Sequence, residues 1–281
     1  MKKKKQDTST LLLIAILFAG LSLLLYPSVS AYWNSFTHSK AIASYVDEVS
    51  KLDQKNYDQY WDDAHSYSQL LTRRSNPFVL DDQMAERYAG ALNISGNGIM
   101  GYVEIPSLDC SLPIYHGTDE AVLQIAVGHL EWTSLPVGGA STHCVISGHR
   151  GLPSARLFTD LDRLVVGDIF MLRVLDEILT YEVDQILIVE PNITEPLQIT
   201  EGEDYCTMVT CTPYGVNSHR LLVRGHRIEN IKEAKIVRVT ANAIQIEPLF
   251  VAPVVAVPLL LVLLFALLLP KRRKYEGDDD D

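Results

Sequence analysis

Two apolar runs, one near each end, divide this chain before any domain can be considered. Pro248 to Leu269 carries no charged residue and is followed at once by Lys271-Arg272-Arg273-Lys274. An uncharged run of that length reads as a helix spanning a bilayer. Pro253 and Pro258 are tolerated there because neighbouring groups re-satisfy the freed backbone. The other run, Leu11 to Leu25, stands behind Lys2 to Lys5. It can cross a bilayer if Thr8 to Thr10 and Tyr26 lie in the interface, and the small residues Ser28-Val29-Ser30-Ala31 also suit a signal segment. Basic clusters flank the outer end of both runs, so both termini are expected in the cytoplasm and everything between them outside.

The chain has a formal net charge of −11 although eight of its basic residues sit in those two end clusters. The intervening segment is therefore more acidic still, and a nucleic-acid partner, which needs a basic stripe, is not expected. From Ser39 to Leu71 apolar residues recur at helical spacing, at Ile42, Tyr45, Val46 and Val49 and again at Tyr60, Trp61, Ala64, Tyr67 and Leu71. Asn76-Pro77 then disfavours helix and leaves Phe78 as a large ring in a loop. Such a ring either packs on the nearest core edge or plugs a site.

Beyond Gly98 the texture changes to short apolar runs bounded by Gly, Pro, Asp and Asn. They include "GIMGYVEIP", "CSLPIYHG", "HCVISGH", "DIFMLRVLD", "ILTYEVDQILIVEP", "YCTMVTCTP", "HRLLVRGHRI" and "AKIVRVT". Strands at this spacing predict a sandwich or closed barrel of about eight strands, a mainly β fold.

Cys110, Cys144, Cys206 and Cys211 face an oxidising compartment, where an even count suits disulfides. Cys206 and Cys211, however, lie an odd number of residues apart and would point to opposite faces of one strand. With His219 they also lack the paired spacing of a zinc site, so neither a metal nor a cofactor is expected. Tyr205 to Cys211 reads as a strand, Thr212-Pro213-Tyr214-Gly215 as a turn, and Arg220 to Arg224 as the next strand. That connection brings Cys211 and Arg220 together at a rim. A thiol is a useful nucleophile only as thiolate, which a nearby base or cation supplies. His149 in "VISGHRG" stands at another strand end. Taken singly, each residue has a structural explanation: a small buried thiol, a hydrogen-bonded imidazole, a cation over an acidic rim. His116, His129, His143, His219 and His226 compete for the role of base.

The segments "TCTPYGVNSHRLLVRGHR", "SGHRGLPSARLFTDLDRL" and "VGHLEWTSLPVGG" resemble the sortases, and within them the class C, pilin-polymerising branch. The resemblance runs from about Asn76 through the last apolar run. It implies an eight-stranded sortase-like β-barrel preceded by N-terminal helices and a lid loop and flanked by transmembrane segments. Cys211 falls on the family's nucleophile, His149 on its acid/base histidine and Arg220 on its arginine. The implied reaction cleaves an LPXTG-like signal between Thr and Gly through a thioester and joins the acyl group to a pilin lysine. Pilin subunits and the lipid bilayer are thus the expected partners. Attachment of proteins to cell-wall peptidoglycan is the alternative with the same residues, and a non-catalytic adhesin or scaffold the alternative without chemistry. Class C lids carry Asp-Pro-aromatic; here Asn76 precedes Pro77 and Phe78, so the lid would lack its carboxylate. The expected organisation is a cytoplasmic basic end with membrane anchor or signal segment (residues 1–31), helices with the lid (32–97), a catalytic barrel (98–247), a second span (248–270) and a cytoplasmic tail (271–281).

Overall fold

The computed structural model describes residues 8–74 and 79–230. The lid residues Asn76, Pro77 and Phe78, the run "AKIVRVT", the second apolar run and the tail lie outside the described residues. Those described fall into two compact units, residues 8–30 and residues 31–230.

Helix α1 (Thr8–Ser50) contains the first apolar run and continues through Pro27. Among the described residues it is the helix long and apolar enough to cross a membrane, with Leu12, Leu13, Ile16 and Leu23 exposed. Helix α2 (Gln54–Thr72) starts where the Asp53 carboxylate accepts from the Asn56 amide at 2.8 Å, satisfying one of the unpaired donors of a first turn. It buries Ala64, Tyr67, Ser68 and Leu71, one stripe at three- and four-residue spacing. Helix α3 (Asp82–Gly90) is capped likewise by Asp81, which accepts from Met84 N at 2.9 Å and pairs with Arg74 at the same distance. These contacts hold the Asp81 carboxyl below the usual carboxylate range, the Met84 amide first and the Arg74 guanidinium second.

The remaining elements are β1 (Ile99–Ile105), β2 (Cys110–His116), the short α4 (Glu120–Leu123), β3 (Val127–His129), β4 (Thr142–Ser147), β5 (Ile169–Val174), β6 (Glu177–Val189), β7 (Asp204–Thr212) and β8 (His219–Arg227). They close in the order β1-β2-β3-β4-β7-β8-β6-β5, with β5 returning to β1. Closure leaves no unpaired sheet edge. The pairings β2/β3 and β4/β7 are parallel and the others antiparallel. Alternation fills the barrel: on β5, Phe170, Leu172 and Val174 point inward between half-exposed neighbours. They join Val103, Ile114, Tyr181 and Met208 in one core. A second apolar cluster, Val145, Leu197, Val209 and Leu222, lies apart from it.

Buried tyrosine hydroxyls fasten the helices to the barrel. The Tyr45 hydroxyl donates to Met100 O at 3.0 Å and accepts from Leu175 N at 2.7 Å. Tyr67 donates to Glu131 O at 2.6 Å, and Tyr88 donates to His129 O at 3.0 Å while accepting from Gly117 N at 2.8 Å. Burial raises the pKa of all three phenols, so they remain neutral donors.

His143, on β4, is buried between Gln198 O at 2.9 Å and the Thr207 hydroxyl at 2.7 Å. Burial lowers its pKa to about 4, against the Gln198 bond that would raise it. Burial lowers His38 and His116 in the same direction. An unfolded chain takes up these protons near pH 6.5 while the folded protein refuses them. Their contribution to stability is present above about pH 6.5 and is lost as pH falls towards about 4. The urea midpoint of the detergent-solubilised protein should therefore fall between pH 7 and pH 5. His143→Gln should flatten that dependence; an unchanged slope would show that His143 does not cause it.

Candidate active site

β7 is paired on both sides, and the two pairings bring the sequence-predicted residues to one end of the barrel. Across the antiparallel pairing with β8, Cys211 and Arg220 are directly opposite, followed by Thr212 and His219. On the other side β4 runs parallel, with Ser147 beside Val209. That pairing continues past the strand end: Gly148 N donates to Val209 O at 3.1 Å, and the Thr210 hydroxyl donates to Gly148 O at 2.8 Å. Carrying the register one step further sets His149 alongside Cys211.

All three side chains are half-buried. The Arg220 Nη1 donates to Asn217 O at 3.2 Å and to His219 O at 3.1 Å, and Arg220 has no carboxylate partner among the described residues. Among the described residues His149 Nε2 is buried without a hydrogen-bond partner, and Glu120 Oε2 of α4 lies 3.9 Å away. That carboxylate is 74% exposed, and solvent screens such a pair to little net energy. The residues after His149 are held closely. Phe158 N donates to His149 O at 3.1 Å, and Gly151 N donates to the Thr159 hydroxyl at 3.1 Å.

The other cysteines have different surroundings. All four are free thiols. Cys206 is fully buried and points into the core beside Cys144, its partner in the β4/β7 pairing, and burial raises the Cys206 thiol well above its ordinary value. Cys110 is likewise pushed up to about 12 by burial. Both environments oppose thiolate formation. Cys211 lies on the opposite face of β7 from Cys206, as the odd spacing requires, and in line with Val209 of the outer apolar cluster.

Sequence reasoning missed Arg150, Thr212 and Asp162. Arg150 Nη1 donates to the Thr212 hydroxyl at 3.3 Å, its Nη2 is paired with Asp162, and its guanidinium lies 6.0 Å from the Tyr214 ring centre. The signal was available: Arg150 directly follows His149 in "GHRG" and Thr212 directly follows Cys211.

The closed eight-stranded barrel has counterparts among known proteins. A family model described as Sortase domain matches residues 103–228. Sortase C1 from Streptococcus agalactiae is 49% identical, with a TM-score of 0.67 over 68% of this chain and 100% of that one. For Streptococcus pneumoniae sortase C the identity is 48% and the TM-score 0.61, over 68% and 97% of the two chains. Clostridium perfringens sortase C, solved with the C-terminal cell wall sorting motif, is 40% identical with a TM-score of 0.61, over 68% and 100%. Among curated relatives, sortase D of Bacillus subtilis is 29% identical over 131 residues, 46% of this chain. The match spans 63% of that relative's length, less than two thirds. The chain belongs to the sortase family, and these three solved structures are sortases C.

Gly148 tests how tightly the His149 segment is packed. A Cβ there would lie 2.8 Å from the Phe158 ring, whereas at Gly90 it would meet open space. Gly148→Ala is expected to cost about 1–3 kcal/mol, as overpacking does, and to lower the thermal midpoint in calorimetry. Gly90→Ala should not lower it, and equal midpoints for the two variants would mean the segment yields freely.

Proposed function

We propose that this protein is a membrane-anchored cysteine transpeptidase that polymerises pilins. The observation carrying this reading is the pairing of Cys211 with Arg220 across β7 and β8, on the face of the barrel that also bears Val209 and Leu222. Cys211 is the nucleophile, His149 the general acid and base, and Arg220 the group that stabilises the oxyanion and holds substrate.

In this reading the Cys211 thiolate adds to the carbonyl carbon of the threonine in an LPXTG-like signal. Negative charge develops on the carbonyl oxygen, where a guanidinium, a permanent cation with a planar fork of donors, is effective. Collapse breaks the Thr–Gly bond, and His149 gives a proton to the departing glycine amine. The ε-amine of a pilin lysine then attacks the thioester carbonyl, His149 accepts its proton, and the Cys211 thiolate leaves as an isopeptide bond forms. The outer apolar cluster beside Cys211, with Leu187 and Val189 packed on it, suits the leucine and proline of such a signal. Further support comes from the relatives. The Clostridium perfringens enzyme was solved with the C-terminal cell wall sorting motif, and the Streptococcus pneumoniae structure is described as giving insights into catalysis and pilin substrate specificity.

The domain boundaries set out from the sequence belong to the same proposal, as does the lid at Asn76-Pro77-Phe78, which rests on its sequence alone. So does the two-span topology, with both termini cytoplasmic and the barrel outside. Pilin lysine and cell-wall peptide should be offered as competing acceptors, and the product bond mapped by mass spectrometry. An isopeptide to a pilin lysine is expected, and transfer only to the wall peptide would replace pilin polymerisation with wall attachment. Arg220→Lys keeps the charge but loses the fork, and turnover should fall on the order of 10² to 10³. Near-normal turnover would show that a point charge suffices. For topology, terminal tags should resist protease in intact cells while a tag inserted at Gly98 is cut; cleavage of a C-terminal tag would overturn the orientation.

A further inference from the structure

Two guanidiniums occupy the end of the barrel that carries Cys211, and their surroundings differ. Arg220 has no carboxylate partner among the described residues, whereas the Arg150 side chain is 10% exposed and paired with Asp162 in the turn Leu161–Arg163. Burying a cation is costly unless it is paired, so Asp162 is what allows Arg150 to lie there. The same planar group donates through Nη1 to the Thr212 hydroxyl, at 3.3 Å. Its Nε is buried with no hydrogen-bond partner among the described residues. Tolerating that loss shows how far the fork is committed to its two partners. A guanidinium is rigid and planar, so bonding Asp162 with one nitrogen and Thr212 with another fixes the spacing between them. Arg150 is covalently next to His149, and Thr212 is covalently next to Cys211.

We propose that Arg150 is a positioning residue: held by Asp162, it donates to Thr212 and so sets the His149 segment against the end of β7 that bears Cys211. The inference rests on the reading of Cys211 as nucleophile and His149 as acid and base. It divides the labour between the two arginines. Arg150, neutralised by Asp162, controls geometry and leaves Arg220, which has no carboxylate partner among the described residues, for the oxyanion. Tyr214 closes the same corner, since a Cβ on Gly151 (φ +77°) would lie 2.8 Å from its ring.

The test uses the full chain in detergent and the variant Thr212→Val, which removes the acceptor while leaving Arg150 and Asp162 paired. Amide hydrogen exchange over Gly148–Leu152, without substrate, should become about three- to tenfold faster, the loss expected for one hydrogen bond. Turnover of a sorting-signal peptide should show kcat lowered about 10- to 100-fold with KM within about twofold, as a misplaced acid and base would give. Adding Arg150→Lys to Thr212→Val should cost little more, because both variants break the same link. Unchanged exchange in Thr212→Val overturns the proposal, as does faster exchange with normal kcat, or a loss of kcat that merely follows the folded fraction. If the unsubstituted protein shows no turnover, the transpeptidase reading fails separately. The exchange measurement then decides alone whether Arg150 holds the segment.

Discussion

Hydrogen bonding on both sides of β7 is what the catalytic end depends on. Its antiparallel register with β8 sets Cys211 opposite Arg220, and its parallel register with β4 leads Gly148 and His149 to the same level. A strand can slip by one residue only by turning every side chain to the other face. Here both faces are buried: Cys206 and Met208 enter the core, while Val209 packs in the outer cluster with Val145 and Leu222. A slip would bury the wrong groups on two sides at once, so ordinary apolar packing along β7 fixes the position of a half-exposed thiol at its tip.

The same logic extends to the helices. Helices α1, α2 and α3 are each attached by a buried phenol whose oxygen bonds backbone groups, Tyr45 at Met100 and Leu175, Tyr67 at Glu131, and Tyr88 at His129 and Gly117. A buried polar group left unpaired is costly, so these bonds specify where the helices dock more than they add net energy. Arg74 and Asp81 pair across the segment that contains Asn76, Pro77 and Phe78, tying its two ends together.

Much of this was legible in local patterns. Ala64, Tyr67 and Leu71 show their shared face through helical spacing, and β5 shows itself as a short apolar run after Gly167-Asp168, although Ile-Phe-Met-Leu-Arg-Val does not reveal which side chains alternate inward. Cys211 and Arg220 were expected to be neighbours because a turn separates two strand-like runs. Three residues cannot display a period, so β3 (Val127–His129) left no strand signal and is defined by its pairing with β2 and β4. The alignment of His149 with Cys211, read by extending the β4/β7 register, depends on a parallel pairing between segments far apart in the chain, which no local pattern encodes. For the same reason the spacing of Cys206 from Cys211 could be weighed while the adjacency of Cys206 and Cys144 could not. Arg150 stayed hidden behind His149 because an arginine beside a candidate base reads as one more surface charge until its burial and its partners are seen.

The central claim is that these registers make Cys211 the nucleophile, and the acyl-enzyme tests it most directly. The full chain is mixed with a sorting-signal peptide in the absence of any amine acceptor, quenched in acid and digested for mass spectrometry. An acyl adduct on the fragment containing Cys211, removed by hydroxylamine as a thioester is, agrees with the account. An adduct on Cys110, Cys144 or Cys206, or cleavage of the peptide with no adduct on Cys211, contradicts it.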